Sequence, residues 1–313
     1  MWVTFSMRFS QALQGYWLDK RTSFSARTVE SYTYHFNYLL TFLGDRELNA
    51  ITPDDIRHFL HWMHAERGLS MRTVHDSWIA LKSFWTWAET ELGTPHALRG
   101  KVTEPKYTKR AIEPFTEDDV KRMVKAAEFS RAWRTKTGKT VRTTQPTGAR
   151  DKAILLTLLD CGIRASECCA LTLADFDAER GRLQIRNGKG NKERFVFLGD
   201  RARKAIWRYL VKREGAQPSE PLFMSLERGH LTRDRLGKLV RSIAKRADVA
   251  HAHPHRFRHT FAIMFLRNGG NVFELQRLLG HETLATVQIY ARLAESDLEK
   301  AGRKNSPADN WRL

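Results

Sequence analysis

The sequence predicts a mainly α-helical protein of two domains, with a small antiparallel sheet in the second. Apolar residues recur at helical spacing through residues 1–95. A basic segment with two prolines, 96–115, then interrupts this periodicity and is predicted to be a linker. Residues 116–313 combine further helical segments with two short alternating ones. A chain of 313 residues is long enough for two domains, each with its own core.

The first domain is predicted to consist of amphipathic helices. One apolar stripe contains Val29, Tyr32, Phe36, Leu39 and Leu40. Thr52 precedes Pro53 and an aspartate three residues later, which is a helix start, and Gly68 is a helix stop. Ser70 then opens a long helix with Val74, Trp78, Leu81, Phe84 and Trp85. These aromatic residues could stack on bases, but their helical spacing favours a packed core.

The second domain begins with a helix capped by Thr116. Residues 131–150 are polar, basic and non-periodic, and are predicted to be a loop that either touches DNA or is mobile. An apolar helix over 151–161 should end at Gly162. RLQIRN and ERFVFL, joined by GKGNK, indicate a β-hairpin, and the rest is predicted to be helical, with stops at Gly269–Gly270 and Gly280.

The net charge of +18 lies entirely in the second part of the chain. Residues 1–100 carry ten basic and ten acidic residues, whereas 101–313 carry 43 and 25. Such a surface attracts polyanions, and a nucleic-acid backbone is the usual one. A merely soluble basic surface, or contact with a membrane surface or a ribosome, is the alternative. The linker residues Lys101, Lys106, Lys109 and Arg110 could follow a DNA backbone or simply be solvated.

Several classes of protein are disfavoured. No apolar run approaches a membrane span, and the N-terminus does not resemble a signal peptide. An odd cysteine count (Cys161, Cys168 and Cys169) argues against a disulfide framework and predicts burial in a reducing cytoplasm. Neither a nucleotide-binding loop nor an acidic two-metal cluster is present, so no cofactor is expected. His251, His253 and His255 alternate like metal ligands, but Pro254 and the lack of a nearby carboxylate weaken a metal site.

Six residues in the second domain suit attack on a phosphodiester. Arg164 lies in CGIRASE, Lys189 in GKGNKER, and His255 and Arg258 in HPHRFRHTFA. His281 lies in LLGH, and Tyr290 follows nine residues later in TVQIYARL. Guanidinium groups hold phosphate oxygens in pairs, a tyrosine can act as a nucleophile, and lysine and histidine can move protons.

In these motifs the chain resembles the tyrosine recombinase (phage integrase) family, from about residue 7 to the end. The resemblance implies that Arg164 and Arg258 bind the scissile phosphate and that Tyr290 forms a 3′-phosphotyrosine. It implies that Lys189 protonates the leaving 5′-oxygen, with Lys192 as a rival. His255 and His281 would bind phosphate oxygens or assist proton transfer at Tyr290. Glu167 could orient Arg164 from one helical turn away, and His259 is interpreted as structural support.

The family resemblance also implies a two-domain clamp around DNA, with residues 1–95 as the core-binding domain and 116–313 as the catalytic domain. We expect conservative site-specific recombination at inverted-repeat sites by a homotetramer, closest to Xer-type enzymes and integrases of phages and mobile elements, without an additional arm-binding domain. The C-terminal segment would dock on the neighbouring protomer or pack on its own domain. The alternatives are a type IB topoisomerase and a non-catalytic DNA-binding regulator.

Overall fold

The computed structural model describes residues 7–108, 113–130, 133–135, 137–186, 193–213, 215–227, 229–280, 284–294 and 306–311. The chain forms two compact units, Met1–Arg110 and Ala111–Leu313. Both are mainly helical and the second contains small antiparallel sheets, which confirms the predicted fold class. In the described parts, no helix is both long enough and apolar enough to cross a bilayer.

The first unit contains four α-helices in its described residues: α1 Phe9–Lys20, α2 Ala26–Leu43, α3 Pro53–Ala65 and α4 Met71–Leu92. The predicted caps are confirmed. The Thr52 hydroxyl accepts a hydrogen bond from the backbone N–H of Asp55, and the Asp55 carboxylate accepts one from the N–H of Thr52. The Ser70 hydroxyl caps α4 through the N–H of Thr73. These bonds satisfy amide groups that a helix start otherwise leaves unpaired.

The aromatic residues of the first unit form its core. Phe84 and Trp85 are fully buried, and Trp78 is nearly so. The ring of Phe9 lies 5.0 Å from that of Phe84 in an edge-to-face arrangement, and Tyr16 contacts the same ring at 5.6 Å. The interpretation of these side chains as core residues is therefore confirmed.

The predicted linker, 96–115, is partly packed. Ala97, Leu98 and Val102 are buried in the core of the first unit. The His96 side chain accepts hydrogen bonds from the backbone N–H groups of Leu98 and Arg99, which fixes the turn that inserts them. At the other end Phe115 is buried in the core of the second unit. The sequence lacks periodicity here because the segment packs as a turn. The domain boundaries at 95 and 116 stay a prediction.

The second unit places eight α-helices around its core in its described residues up to Ala294: α5 Glu117–Glu128, α6 Gly148–Cys161, α7 Ala165–Ala170, α8 Asp200–Leu210, α9 Arg233–Ala247, α10 Pro254–Arg267, α11 Val272–Leu279 and α12 Leu284–Ala294. A short helix, Pro307–Trp311, follows. Helix α6 packs against α5, α8 and α10, and α10 also contacts α11 and α12. Helix α10 therefore connects the core to the C-terminal helices.

The predicted hairpin is confirmed in its two strands. In a three-stranded antiparallel sheet, β3 (Phe176–Asp177) pairs with β4 (Arg182–Ile185), which pairs with β5 (Arg194–Phe197). Leu183 lies opposite Val196, and both side chains are buried. The hairpin tip, with Lys189 and Lys192, lies outside the described residues.

The loop prediction for residues 131–150 is wrong in two respects. Trp133–Arg134 (β1) and Thr140–Val141 (β2) form a short antiparallel ladder, and α6 already begins at Gly148. Two-residue strands are too short to show a period of two in the sequence. Gly148 is needed because a Cβ there would lie 2.9 Å from the Cα of Glu128.

The three cysteines are buried and free. Burial raises the pKa of the Cys169 thiol to about 11, so this thiol is protonated near neutral pH. The alternating histidines are not arranged along a strand. His251 has a positive φ of 54°, His253 caps α10 with its side chain, and His255 lies within that helix. Among the described residues, no group of His, Cys, Asp and Glu side chains is arranged to hold a metal ion.

Candidate active site

Arg164 lies at the junction between α6 and α7. Gly162 ends α6 with a positive φ of 57°, and a Cβ there would lie 2.2 Å from the Phe261 ring. A side chain at residue 162 is therefore excluded by both conformation and space. Arg164 then precedes the first residue of α7 and is partly exposed, with 28% of its side chain accessible.

Glu167 holds Arg164 from the first turn of α7. Its carboxylate accepts hydrogen bonds from the Arg164 backbone N–H at 2.7 Å and from Nη1 at 2.8 Å. Arg194 of β5 adds two more, at 3.1 and 2.8 Å. Burial by itself raises the pKa of Glu167, but the bonds and charges of Arg194 and Arg164 outweigh it and bring the pKa to about 2. The expected orienting role thus has a geometric basis.

Arg258 is the buried arginine of the site, with 1% of its surface accessible. Its Nη1 donates to the carbonyl of Gly162 and its Nη2 to that of Leu279, both at 2.8 Å. Burial, and then the charge of Arg164, lower its pKa to about 10. The guanidinium remains charged at neutral pH, and these bonds link α10 to the ends of α6 and α11.

The C-terminal end of α11 accepts hydrogen bonds from three arginines. The consecutive carbonyls of Leu278, Leu279 and Gly280 bind Arg194 Nε at 2.7 Å, Arg258 Nη2 at 2.8 Å and Arg164 Nη2 at 3.3 Å, respectively. Carbonyls at a helix C-terminus lack partners within the helix and carry partial negative charge, so they suit cationic donors. This clamp fixes the backbone immediately before His281.

Tyr290 lies on α12, with 4% of its surface accessible. Its hydroxyl oxygen lies 2.9 Å from Nδ1 of His259. Burial raises the pKa of Tyr290, and the charges of Arg258 and then Arg164 oppose that rise. The phenol is therefore protonated in the free protein while both guanidiniums act on it.

His255 and His259 occupy the same face of α10, one turn apart. Their ring centroids are 4.3 Å apart in an edge-to-face arrangement. Burial, and then the charges of Arg258, His253 and Arg164, lower the pKa of His255. Burial, followed by His255, His253 and Arg258, lowers the pKa of His259 to about 4. Both imidazoles are predominantly neutral at neutral pH.

The structure brings together four of the six predicted residues: Arg164, His255, Arg258 and Tyr290. Lys189 and His281 lie outside the described residues. Sequence reasoning missed two contributors. It did not single out Arg194, and it gave His259 a structural role only. The four-residue spacing from His255 to His259 on one helix could have placed His259 in the site.

This arrangement can stabilise an anion next to a nucleophilic hydroxyl. Two guanidiniums lie at the meeting of α6, α7, α10 and α11, and Tyr290 enters from α12 with a neutral imidazole on its oxygen. Fixed cationic donors in a desolvated site lower the free energy of a transition state that gathers negative charge.

Residues 113–297 match the sequence profile of the phage integrase family, and residues 13–91 match the phage integrase N-terminal SAM-like domain. The chain is 32% identical to tyrosine recombinase XerC of Oceanobacillus iheyensis over 299 residues, which cover 91% of this chain and 92% of that protein. It belongs to the phage integrase family. This tyrosine recombinase is also 30% identical to XerD of Pseudomonas aeruginosa, with 96% of each chain covered. The expectation of a site-specific tyrosine recombinase is confirmed.

The fold of this recombinase is that of solved relatives. The crystal structure of XerA recombinase matches with a TM-score of 0.51 at 26% identity, covering 95% of this chain and 97% of that one. The Tn1549 transposon integrase, in complex with a circular intermediate DNA, matches with a TM-score of 0.72 at 19% identity, covering 89% and 94%. The match to the Tn1549 integrase, at 19% identity, shows a shared fold. The catalytic roles of the six residues stay predictions.

Proposed function

We propose that this recombinase cuts and rejoins double-stranded DNA at a specific site through a covalent bond between Tyr290 and the 3′-phosphate. The main support for the proposal is the position of Tyr290. Its side chain is buried, and the charges of Arg258 and Arg164 of its own chain oppose the rise in the pKa of its hydroxyl. A phenol has an ordinary pKa of about 10 and needs such cations to stabilise it as it loses its proton.

In the cleavage step, the Tyr290 oxygen bonds to phosphorus while the bond from phosphorus to the 5′-oxygen breaks. Arg164 and Arg258 bind the non-bridging oxygens, and hydrogen bonds to Glu167 and to the carbonyls of Leu279 and Gly280 orient the two guanidinium groups. Lys189, or its rival Lys192, protonates the 5′-oxygen, and His255 and His281 bind phosphate oxygens. The phosphotyrosine retains the energy of the broken ester, so rejoining requires neither ATP nor a metal.

The DNA partner is supported by charge. The excess of basic residues lies in the second part of the chain, where the site is. Solved structures of similar fold include a lambda integrase dimer bound to a core site. By analogy, the two units would act as a clamp on inverted-repeat sites in the cytoplasm. Recombination yields integration, excision, resolution or inversion according to where the sites lie.

We propose a homotetramer on DNA, in which a groove of about 900 Å³ on the second unit receives the C-terminal segment of a neighbouring copy. Helices α5, α6, α8 and α10 line this groove. Its lining combines the apolar Val124, Leu156, Phe261, Met264 and Phe265 with six basic residues and three acidic ones. In the segment after Tyr290, the apolar Leu298 stands between the acidic Asp297 and Glu299, which complements the apolar and basic residues of this lining.

Covalent trapping tests this function. Nicked duplexes from the DNA flanking the gene are incubated with the protein, and SDS-resistant adducts are measured, with Tyr290→Phe as the control. An adduct that requires Tyr290 is expected. Tight binding without an adduct would favour the DNA-binding regulator. Relaxation of supercoiled plasmids that lack the bound site would favour the topoisomerase.

A further inference from the structure

The mechanism above leaves the acceptor of the Tyr290 proton open. The hydroxyl must lose this proton as its oxygen bonds to phosphorus, because a protonated aryl ester oxygen would be a strong leaving group. A base must lie within hydrogen-bond reach of that oxygen. Nδ1 of His259 does so at 2.9 Å, whereas His255, the histidine predicted from the motifs, lies one helical turn earlier, against the ring of His259.

The direction of this hydrogen bond follows from the tautomer of His259, and the tautomer with its proton on Nε2 leaves Nδ1 as the acceptor. His259 has a pKa of about 4, so its imidazole is neutral near neutral pH, and burial keeps Tyr290 protonated. A neutral imidazole can present an unprotonated nitrogen as an acceptor. The phenol then donates to Nδ1, which is the arrangement that precedes proton transfer.

We propose that His259 is the catalytic base that accepts the proton of Tyr290 during DNA cleavage. The proton moves from the Tyr290 oxygen to Nδ1, the bond from that oxygen to phosphorus forms, and the 5′-oxygen leaves with a proton from the general acid. In the rejoining step the imidazolium returns its proton to the departing tyrosine oxygen. The inference rests on the proposed function, since it requires the phosphotyrosine.

The charges around His259 make this transfer depend on DNA. Burial, and then His255, His253 and Arg258, disfavour an imidazolium at His259. A phosphodiester bound between the arginines brings negative charge, which increases as the transition state forms, so the imidazolium becomes favourable only then. The tyrosine therefore stays a protonated phenol until a phosphate occupies the site.

The test is single-turnover cleavage of a nicked suicide duplex by His259→Asn as a function of pH. An asparagine amide can keep a hydrogen bond to Tyr290 but cannot accept a proton. We expect cleavage to slow by about 10²- to 10⁴-fold. The rate of the variant should rise about tenfold per pH unit, as the phenolate fraction does. The wild-type rate should be nearly flat from weakly acidic to neutral pH.

His251→Asn is the matched control. His251 is exposed, and its positive φ of 54° suits asparagine, so the same exchange should leave the rate unchanged. His259→Gln is made in parallel, and whichever variant binds the duplex as tightly as the wild type carries the comparison. Wild-type rates and pH profile in these variants would overturn the proposal.

A duplex with sulfur in place of the scissile 5′-oxygen separates base from acid. A thiolate leaves without a proton, so this substrate should restore cleavage to Lys189→Ala, or to Lys192→Ala, but not to His259→Asn. Restoration in His259→Asn would assign His259 to the leaving group and overturn the inference alone. Absence of any Tyr290-dependent adduct with the wild type would overturn the proposed function, and the inference with it.

Discussion

Arg194 binds Glu167 through two near-parallel hydrogen bonds, Nη1 to Oε1 at 3.1 Å and Nη2 to Oε2 at 2.8 Å. The same carboxylate holds Arg164, and the same guanidinium holds the end of α11 through Leu278. Arg194 also lies two residues after Lys192, at the start of β5. One ion pair therefore connects a predicted phosphate ligand, the strand that follows the predicted general acid, and the helix that precedes His281.

Replacement of Arg194 by lysine should reduce cleavage by about tenfold or more, because an ammonium cannot form the paired bonds of a guanidinium. Suicide-duplex cleavage under single-turnover conditions measures this. Arg180→Lys is the control, because Arg180 is exposed and its ion pair with Asp177 is long, at 4.0 Å. Equal rates for the two variants would show that the position of Glu167 does not depend on Arg194.

Glu167→Gln should lower the free energy of unfolding by about 3 kcal/mol, since the guanidiniums of Arg164 and Arg194 lose their buried counter-charge. The pKa of Glu167 is lowered from 4.5 to about 2 in the folded protein. Its contribution is therefore complete above about pH 4.5 and is lost as the pH falls toward 2. Urea unfolding at several pH values should show the wild type approaching the variant in acid. A constant difference between them would contradict this.

Gly280→Ala should impair both stability and cleavage. Gly280 has a φ of 64°, and a Cβ there would lie 3.1 Å from Nη1 of Arg194. The left-handed conformation alone costs about 1–2 kcal/mol for a residue with a side chain. Gly93→Ala is the matched control, because Gly93 also ends a helix at a φ of 63° but has open space around its Cβ position. Thermal unfolding of both variants separates backbone strain from the clash. Equal destabilisation of the two variants, with normal cleavage by Gly280→Ala, would exclude an effect on the arginine contacts at the end of α11.

Met264→Lys should prevent assembly on DNA without preventing binding to one site. Met264 lies in the groove proposed to receive the C-terminal segment and is 39% exposed. Docking of the segment would remove water from the charge of a lysine there, which costs free energy. Light scattering of duplex complexes should give smaller assemblies than the wild type. Leu226→Lys, at an apolar residue 79% exposed outside the groove, should assemble normally. Normal assembly of Met264→Lys would place the contact elsewhere.

The local elements could be predicted because their signals are local. The side chains of Thr52, Ser70 and Thr116 cap their helices through backbone N–H groups three residues later. Gly162 and Gly280 end two other helices. The contacts that build the site join distant residues, such as Arg258 with Gly162 and Arg194 with Leu278, and no periodicity encodes them. The motifs indicated Arg164, Arg258 and Tyr290, but the partner of each depends on packing. For that reason His259 and Arg194 emerged only from the structure.

The backbone carbonyls of Gly162 and Leu279 accept hydrogen bonds from Arg258 and orient its guanidinium. A carbonyl aligns a guanidinium without cancelling its net charge, as a carboxylate would. Burial and the charge of Arg164 both disfavour the charged guanidinium of Arg258, so an oxyanion that binds beside it should stabilise the folded protein. Sulfate, phosphate or vanadate should therefore raise the melting temperature of the protein without DNA, and the choice of storage buffer becomes a choice of how fully this pocket is occupied.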